Sequence, residues 1–160
     1  MSATIEAEPR TSLEQPQLPK GDPCVLVIFG ATGDLTRRKL MPALFRLMCE
    51  GCLDDVHILC VGRSPVSDQE FRKSIRDSLN PSNRVEHCSD EEWDRLTERI
   101  SYFQGELDKD ETYSGIASRL DELVKTGAST NCLFYFATPP SLSPTIVEGL
   151  GKAGLAKREN

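Results

Sequence analysis

The residues best suited to chemistry lie in one turn, Gly30-Ala31-Thr32-Gly33-Asp34, which directly follows the apolar run Cys24-Val25-Leu26-Val27-Ile28-Phe29. Two glycines permit a tight turn and a close backbone approach. Unpaired N–H groups at the start of the next helix, with its dipole, would face an anion. The pyrophosphate of a dinucleotide is the usual ligand of such a strand–turn–helix. The spacing is G-x-x-G-x-L rather than G-x-G-x-x-G, so the pattern alone also fits a glycine turn that holds nothing.

Arg63 and Ser64 follow a second apolar run, Val56-His57-Ile58-Leu59-Cys60-Val61. A fold specific for the unphosphorylated dinucleotide places an acidic residue there; a basic one accommodates a 2′-phosphate. After the glycine turn, Arg63 predicts a preference for NADP, with the Ser64 hydroxyl as an added donor. Arg37, Arg38 and Lys39 come one turn beyond the glycines. Consecutive helical residues point to different faces, so not all three are expected to serve one ligand. Thr138-Pro139-Pro140 ends a further apolar run and would form a rigid wall without N–H groups.

Other chemistries find little support. Cys49 and Cys52 form one CxxC without a second, and neither His57 nor His87 completes a zinc spacing. The pair also closes a helix rather than opening one, where a redox thiolate would be stabilised. No metal centre is expected. The 19 Lys and Arg against 25 Asp and Glu give −6, which excludes a dedicated nucleic-acid or membrane-surface binder. No apolar run reaches the roughly 20 residues that span a bilayer. The start of the chain lacks a basic stretch followed by an apolar one, so a cytoplasmic protein with free thiols is expected.

The elements that must position these residues alternate. Residues 1–22, rich in Glu and Pro, read as a disordered tail. Residues 23–160 read as one domain. Cys24–Phe29 and Val56–Val61 are strands, continuous in apolar character and so buried on both faces. A helix from Leu35 to Gly51 contains Pro42, which should kink or restart it. Ser67 with Glu70, and Ser89 with Glu92, are capping boxes opening two helices. Ser101 to Leu107 is a third strand. A helix covers Glu111 to Lys125, with Gly127 as its stop. Cys132–Ala137 is a fourth strand, and Ser143 to Gly151 a last helix. The order β-α-β-α-α-β-α-β-α predicts an α/β fold, a doubly wound, mostly parallel Rossmann-like sheet. Four strands are few for it, so the sheet is expected to be incomplete.

Gly30-Ala31-Thr32-Gly33-Asp34-Leu35-Thr36-Arg37-Arg38-Lys39-Leu40 with Pro42 closely resembles the N-terminal motif of the glucose-6-phosphate dehydrogenase family. The resemblance continues through Val61-Gly62-Arg63-Ser64 and Tyr135-Phe136-Ala137-Thr138-Pro139-Pro140, spanning about residues 24 to 160. It implies oxidation of glucose 6-phosphate at C1 to the 6-phosphogluconolactone, with NADP⁺ as hydride acceptor, in the oxidative branch of the pentose phosphate pathway. Gly30, Ala31, Thr32, Gly33, Asp34, Leu35, Thr36 and Arg37 would hold the coenzyme, with Thr32, Gly33 and Asp34 nearest the pyrophosphate. Arg63 would meet the 2′-phosphate. Glu106 and Leu107 match the adenine side; Ala137, Thr138 and Pro139 match the wall near the nicotinamide. Lys39 matches the lysine that reaches both substrate and coenzyme. Ser143 stands where some relatives carry a coenzyme-contacting tyrosine.

The family's Glu-Lys-Pro strand, its catalytic histidine and its large β+α domain have no counterpart in this sequence. The expectation is an N-terminal, coenzyme-binding portion that is inactive alone, from an enzyme that oligomerises through the other domain. Two further readings stay open. A short-chain reductase or epimerase also starts with Gly-Ala-Thr-Gly, but would carry a Tyr-x-x-x-Lys pair, and neither Tyr102 nor Tyr113 has a lysine four residues on. A non-catalytic NADP-binding module would use the same turn.

Overall fold

The computed structural model of the chain describes residues 18–79 and 89–156. Most of the expected tail and the loop with His87 and Cys88 lie outside the described residues. Lys20 and Gly21, within the expected tail, are tied to the loop before the second strand: Lys20 pairs with Asp54 at 2.8 Å and Gly21 N–H donates to Cys52 O at 2.8 Å.

Four strands, β1 (Cys24–Phe29), β2 (Val56–Gly62), β3 (Ile100–Gln104) and β4 (Cys132–Phe136), form one sheet in the order β3-β2-β1-β4. Every pairing is parallel, with Phe29 opposite both Val61 and Phe136. Successive β1 side chains alternate between faces. Leu26 and Ile28 join one core with α1 (Met41–Cys49), α2 (Asp68–Ser78) and α3 (Asp90–Thr97). Val25, Val27 and Phe29 join another with α4 (Asp110–Lys125) and α5 (Ser143–Lys152). Helices on both faces make the sheet doubly wound, as the apolar strands require.

Local sequence accounts for most boundaries. Both capping boxes form in full, with Ser67 accepting from Glu70 N–H and Ser89 from Glu92 N–H. Gly51 and Gly127 adopt positive φ just past α1 and α4, the usual helix stop. Pro42 restarts the first helix: Thr36–Leu40 is a π-turn, Met41 N–H donates back to Thr36 O, and Pro42 then sits in the first turn of α1. A proline there lacks an N–H that would be unpaired anyway.

Two expectations are corrected. The third strand ends at Gln104 rather than Leu107, because α4 captures the chain beyond it. Thr112 Oγ1 donates to Glu106 O and Tyr113 Oη to Leu107 O, each at 2.7 Å. Nor is β4 buried on both faces. Leu133 and Tyr135 are 59 % and 42 % exposed, since β4 is an edge strand and their face lies beyond the helices packed on β1.

Candidate functional site

The sheet order places the site. From β1 the chain steps outward to β2 and then β3, whereas β4 lies on the other side of β1. Strand order therefore reverses between β1 and β4, and the crevice at the carboxyl ends there is where open α/β sheets bind ligands. The Gly30 turn leaves β1 at that point. Gly62-Arg63-Ser64 flanks it on the β2 side and Ala137-Thr138-Pro139 on the β4 side.

The turn is crowded, and that decides its residue types. Gly30 has φ +86°, and a Cβ there would stand 2.5 Å from Ala137 O. A Cβ on Gly33 would stand 3.1 Å from Gly30 O, to which Gly33 N–H donates at 3.0 Å. Gly62 lets the turn approach β2: a Cβ there would lie 3.2 Å from Thr32 Cγ2. The three glycines thus let the turn pack against the ends of β4 and β2, where any side chain would meet the chain's own atoms.

The donors of that turn follow from counting N–H groups. Those of Gly30 and Ala31 both donate to Val61 O, at 3.1 and 3.0 Å. Arg37 N–H donates to Gly33 O at 3.1 Å. The N–H groups of Thr32, Asp34 and Leu35 have no acceptor among the described residues. Unpaired donors at a helix start attract anions. Thr138 Oγ1 is a further buried polar atom without a partner there. A tight turn with unmatched N–H donors at the start of a helix fits a pyrophosphate.

Thr36 is fully buried, and its hydroxyl donates to Gly30 O at 2.9 Å. It shapes the turn from behind. Ala31 is 1 % exposed with its N–H committed to β2, so it offers a ligand no donor. Leu35, by contrast, is 53 % exposed in the turn.

The basic residues divide. Thr32, Asp34, Arg37, Arg38 and Ser78 line one open cleft of about 440 Å³. Arg38 also reaches Asp34 at 3.4 Å, an exposed pair. Lys39 does not line this cleft. Lys39 and Arg63 are exposed, and neither side chain makes a hydrogen bond or ion pair with the described residues. Glu106 and Leu107 lie just past β3 at the same edge, with their carbonyls held by α4.

His57 is remote. It is the second residue of β2, near the opposite edge, with Nδ1 buried and unpartnered. Burial and the Arg99 charge hold its imidazole below the ordinary range. Cys52 and Cys60 are buried, and burial pushes the Cys60 thiol far up, opposite to a reactive thiolate.

Sequence reasoning missed the groups that support the site from below. Tyr102, weighed only as a reductase tyrosine, lies under the Arg63 loop with its hydroxyl donating to Ser64 O at 2.9 Å. Its pairing with Cys60 of β2 joins residues far apart in sequence, and no local signal reports it.

Residues 27–160 match the protein family described as glucose-6-phosphate dehydrogenase, NAD binding domain. The chain is 40 % identical over 147 residues to a glucose-6-phosphate 1-dehydrogenase of Chlamydia muridarum, covering 90 % of this chain and 29 % of that protein. It is 41 % identical over 133 residues to the one of Chlamydia pneumoniae, covering 81 % and 26 %. The glucose-6-phosphate 1-dehydrogenase structure from Mycobacterium avium superposes with TM-score 0.72 at 33 % identity, over 86 % of this chain and 28 % of that one. A glucose-6-phosphate dehydrogenase in complex with its substrate glucose-6-phosphate gives TM-score 0.72 at 30 % identity, over 91 % and 29 %. The chain thus spans between a quarter and three-tenths of the length of these relatives.

Proposed function

Because the chain belongs to the glucose-6-phosphate dehydrogenase family, through its NAD-binding domain, we propose that it is the coenzyme-binding part of an enzyme oxidising glucose 6-phosphate with NADP⁺. The observation that carries the proposal is the set of N–H groups on Thr32, Asp34 and Leu35 that have no acceptor among the described residues, in a turn that Gly30, Gly33 and Gly62 let pack tightly against β4 and β2. Bound there, NADP⁺ supplies the hydride acceptor. The chain's own residues bind and orient it. The turn holds the pyrophosphate, and Arg63 meets the 2′-phosphate beside it. Glu106 and Leu107 border the adenine side. Ala137, Thr138 and Pro139 wall the nicotinamide side, with the Thr138 hydroxyl as an available partner.

Lys39, exposed and without a partner, contacts glucose 6-phosphate and coenzyme. His57 is not the base that takes the C1 hydroxyl proton, since it lies at the wrong edge of the sheet. The domain reading is a tail up to about residue 22 and a coenzyme domain from 23 onward. The setting is the cytoplasm; among the described residues no helix is long and apolar enough to cross a membrane.

The test compares NADP⁺ and NAD⁺ dissociation constants for the parent and Arg63→Ala. The expected result is at least a tenfold loss for NADP⁺ with NAD⁺ unchanged, as for a removed charge-assisted contact, about 1.5–3 kcal/mol. An equal loss for both coenzymes rejects the 2′-phosphate role. Lys39→Ala should abolish most turnover of glucose 6-phosphate in the full-length enzyme while the unfolding midpoint stays put.

A further inference from the structure

Among the described residues nothing holds the Arg63 side chain, yet the backbone around it is pinned from β3 and the residue after it. Three successive carbonyls each have a donor there. Gly105 N–H donates to Gly62 O at 2.9 Å. Gln104 Nε2 donates to Arg63 O at 3.4 Å. Tyr102 Oη donates to Ser64 O at 2.9 Å, and Val66 N–H donates to the same carbonyl at 3.0 Å.

Of these, Tyr102 is the buried and most firmly set side chain. It is 6 % exposed. Its ring packs on Phe71 with centroids 4.7 Å apart. Its own N–H donates to Asp68 Oδ1 at 2.6 Å, and the other Asp68 oxygen pairs with Arg119 at 2.7 Å. The hydroxyl reaches the loop because residue 62 is glycine; a Cβ there would stand 2.7 Å from it. Burial pushes the Tyr102 phenol up from its ordinary value, so it remains a protonated donor. A long, unpaired arginine finds its ligand productively only if its Cα is fixed, since every lost degree of freedom must otherwise be removed on binding.

We propose that Tyr102 is a positioning residue: its hydroxyl bond to Ser64 O aims Arg63 and thereby sets the preference for a dinucleotide carrying a 2′-phosphate over one without it. The inference rests on the reading of Arg63 given above. The ring packs the loop from below in any case, whereas the hydroxyl acts on the carbonyl beside Arg63. Phenylalanine at 102 separates the two.

The experiment measures dissociation constants of NADP⁺ and NAD⁺ for the full chain and for Tyr102→Phe, Arg63→Ala and the double variant. Tyr102→Phe should weaken NADP⁺ about three- to tenfold, the effect of one hydrogen bond, with NAD⁺ within about twofold. The double variant should bind NADP⁺ no more weakly than Arg63→Ala, the signature of two residues acting as one. An unchanged NADP⁺ constant for Tyr102→Phe, or equal loss for both coenzymes, overturns the inference while the Arg63 reading stands. An unchanged coenzyme ratio in Arg63→Ala removes that reading, and the inference with it. If Tyr102→Phe does not fold, Gln104→Leu, which frees Arg63 O from the exposed side, carries the test. A smaller loss confined to NADP⁺ supports the inference, and an unchanged ratio overturns it.

Discussion

Thr36 shows how one buried hydroxyl shapes the turn after β1 from behind. The carbonyl it holds belongs to Gly30, whose φ of +86° is available to glycine at little steric cost. Without that bond Gly30 O keeps the Gly33 N–H and loses one of two donors, the net worth of one hydrogen bond, about 0.5–1.5 kcal/mol. Thr36→Val keeps the shape and removes the donor. The expected outcome is a loss of stability in that range by urea unfolding, together with weaker NADP⁺ binding, because the turn relaxes. Unchanged stability would show that water satisfies Gly30 O equally well. The same carbonyl explains Gly33, whose N–H closes on it at 3.0 Å.

Among the helices, packing rather than propensity decides the outcome at Gly149 in α5. Glycine-to-alanine in a helix interior ordinarily stabilises by about 1 kcal/mol. Here a Cβ would stand 2.2 Å from Tyr113 Cε2. The Tyr113 ring cannot give way easily, being 2 % exposed with its hydroxyl anchored on Leu107 O at 2.7 Å. Overpacking of a fixed ring costs about 1–3 kcal/mol, so Gly149→Ala should lower the thermal midpoint despite the better helix former. The effect should spread to the site, since the displaced hydroxyl supports the segment that follows β3.

Among the described residues of the molecule, the titration resolved as shifted near neutral pH is that of His57. Its folded-state imidazole is held below the ordinary value by burial and by Arg99. The unfolded chain therefore binds the proton first, near pH 6.5. Its contribution to stability is fully present above that pH and is lost as pH falls toward the folded-state value. The unfolding midpoint should drop between pH 7.5 and 5.5. His57→Leu should shrink that drop, because the carboxylates resolved as shifted, Asp54 and Glu70, lie below the ordinary carboxylate range and titrate at lower pH. An identical drop in both proteins would assign the sensitivity elsewhere.

What the sequence alone determined is local. The run Cys24–Phe29 marked a strand buried on both faces, Ser67 with Glu70 marked a helix start, and Gly30 with Gly33 marked the tight turn after β1, because periodicity, capping and backbone freedom act within a few residues. That reach also located Arg63 and Thr138 at strand ends. The tertiary structure decided what lies beside what. Ala137 O crowds Gly30, Thr36 turns inward, Tyr102 lies beneath Arg63, and Leu133 with Tyr135 stays exposed on β4. Each depends on the order β3-β2-β1-β4 and its register. That order is fixed by burying two helical layers on a twisted sheet, a condition on the whole chain that no short stretch contains.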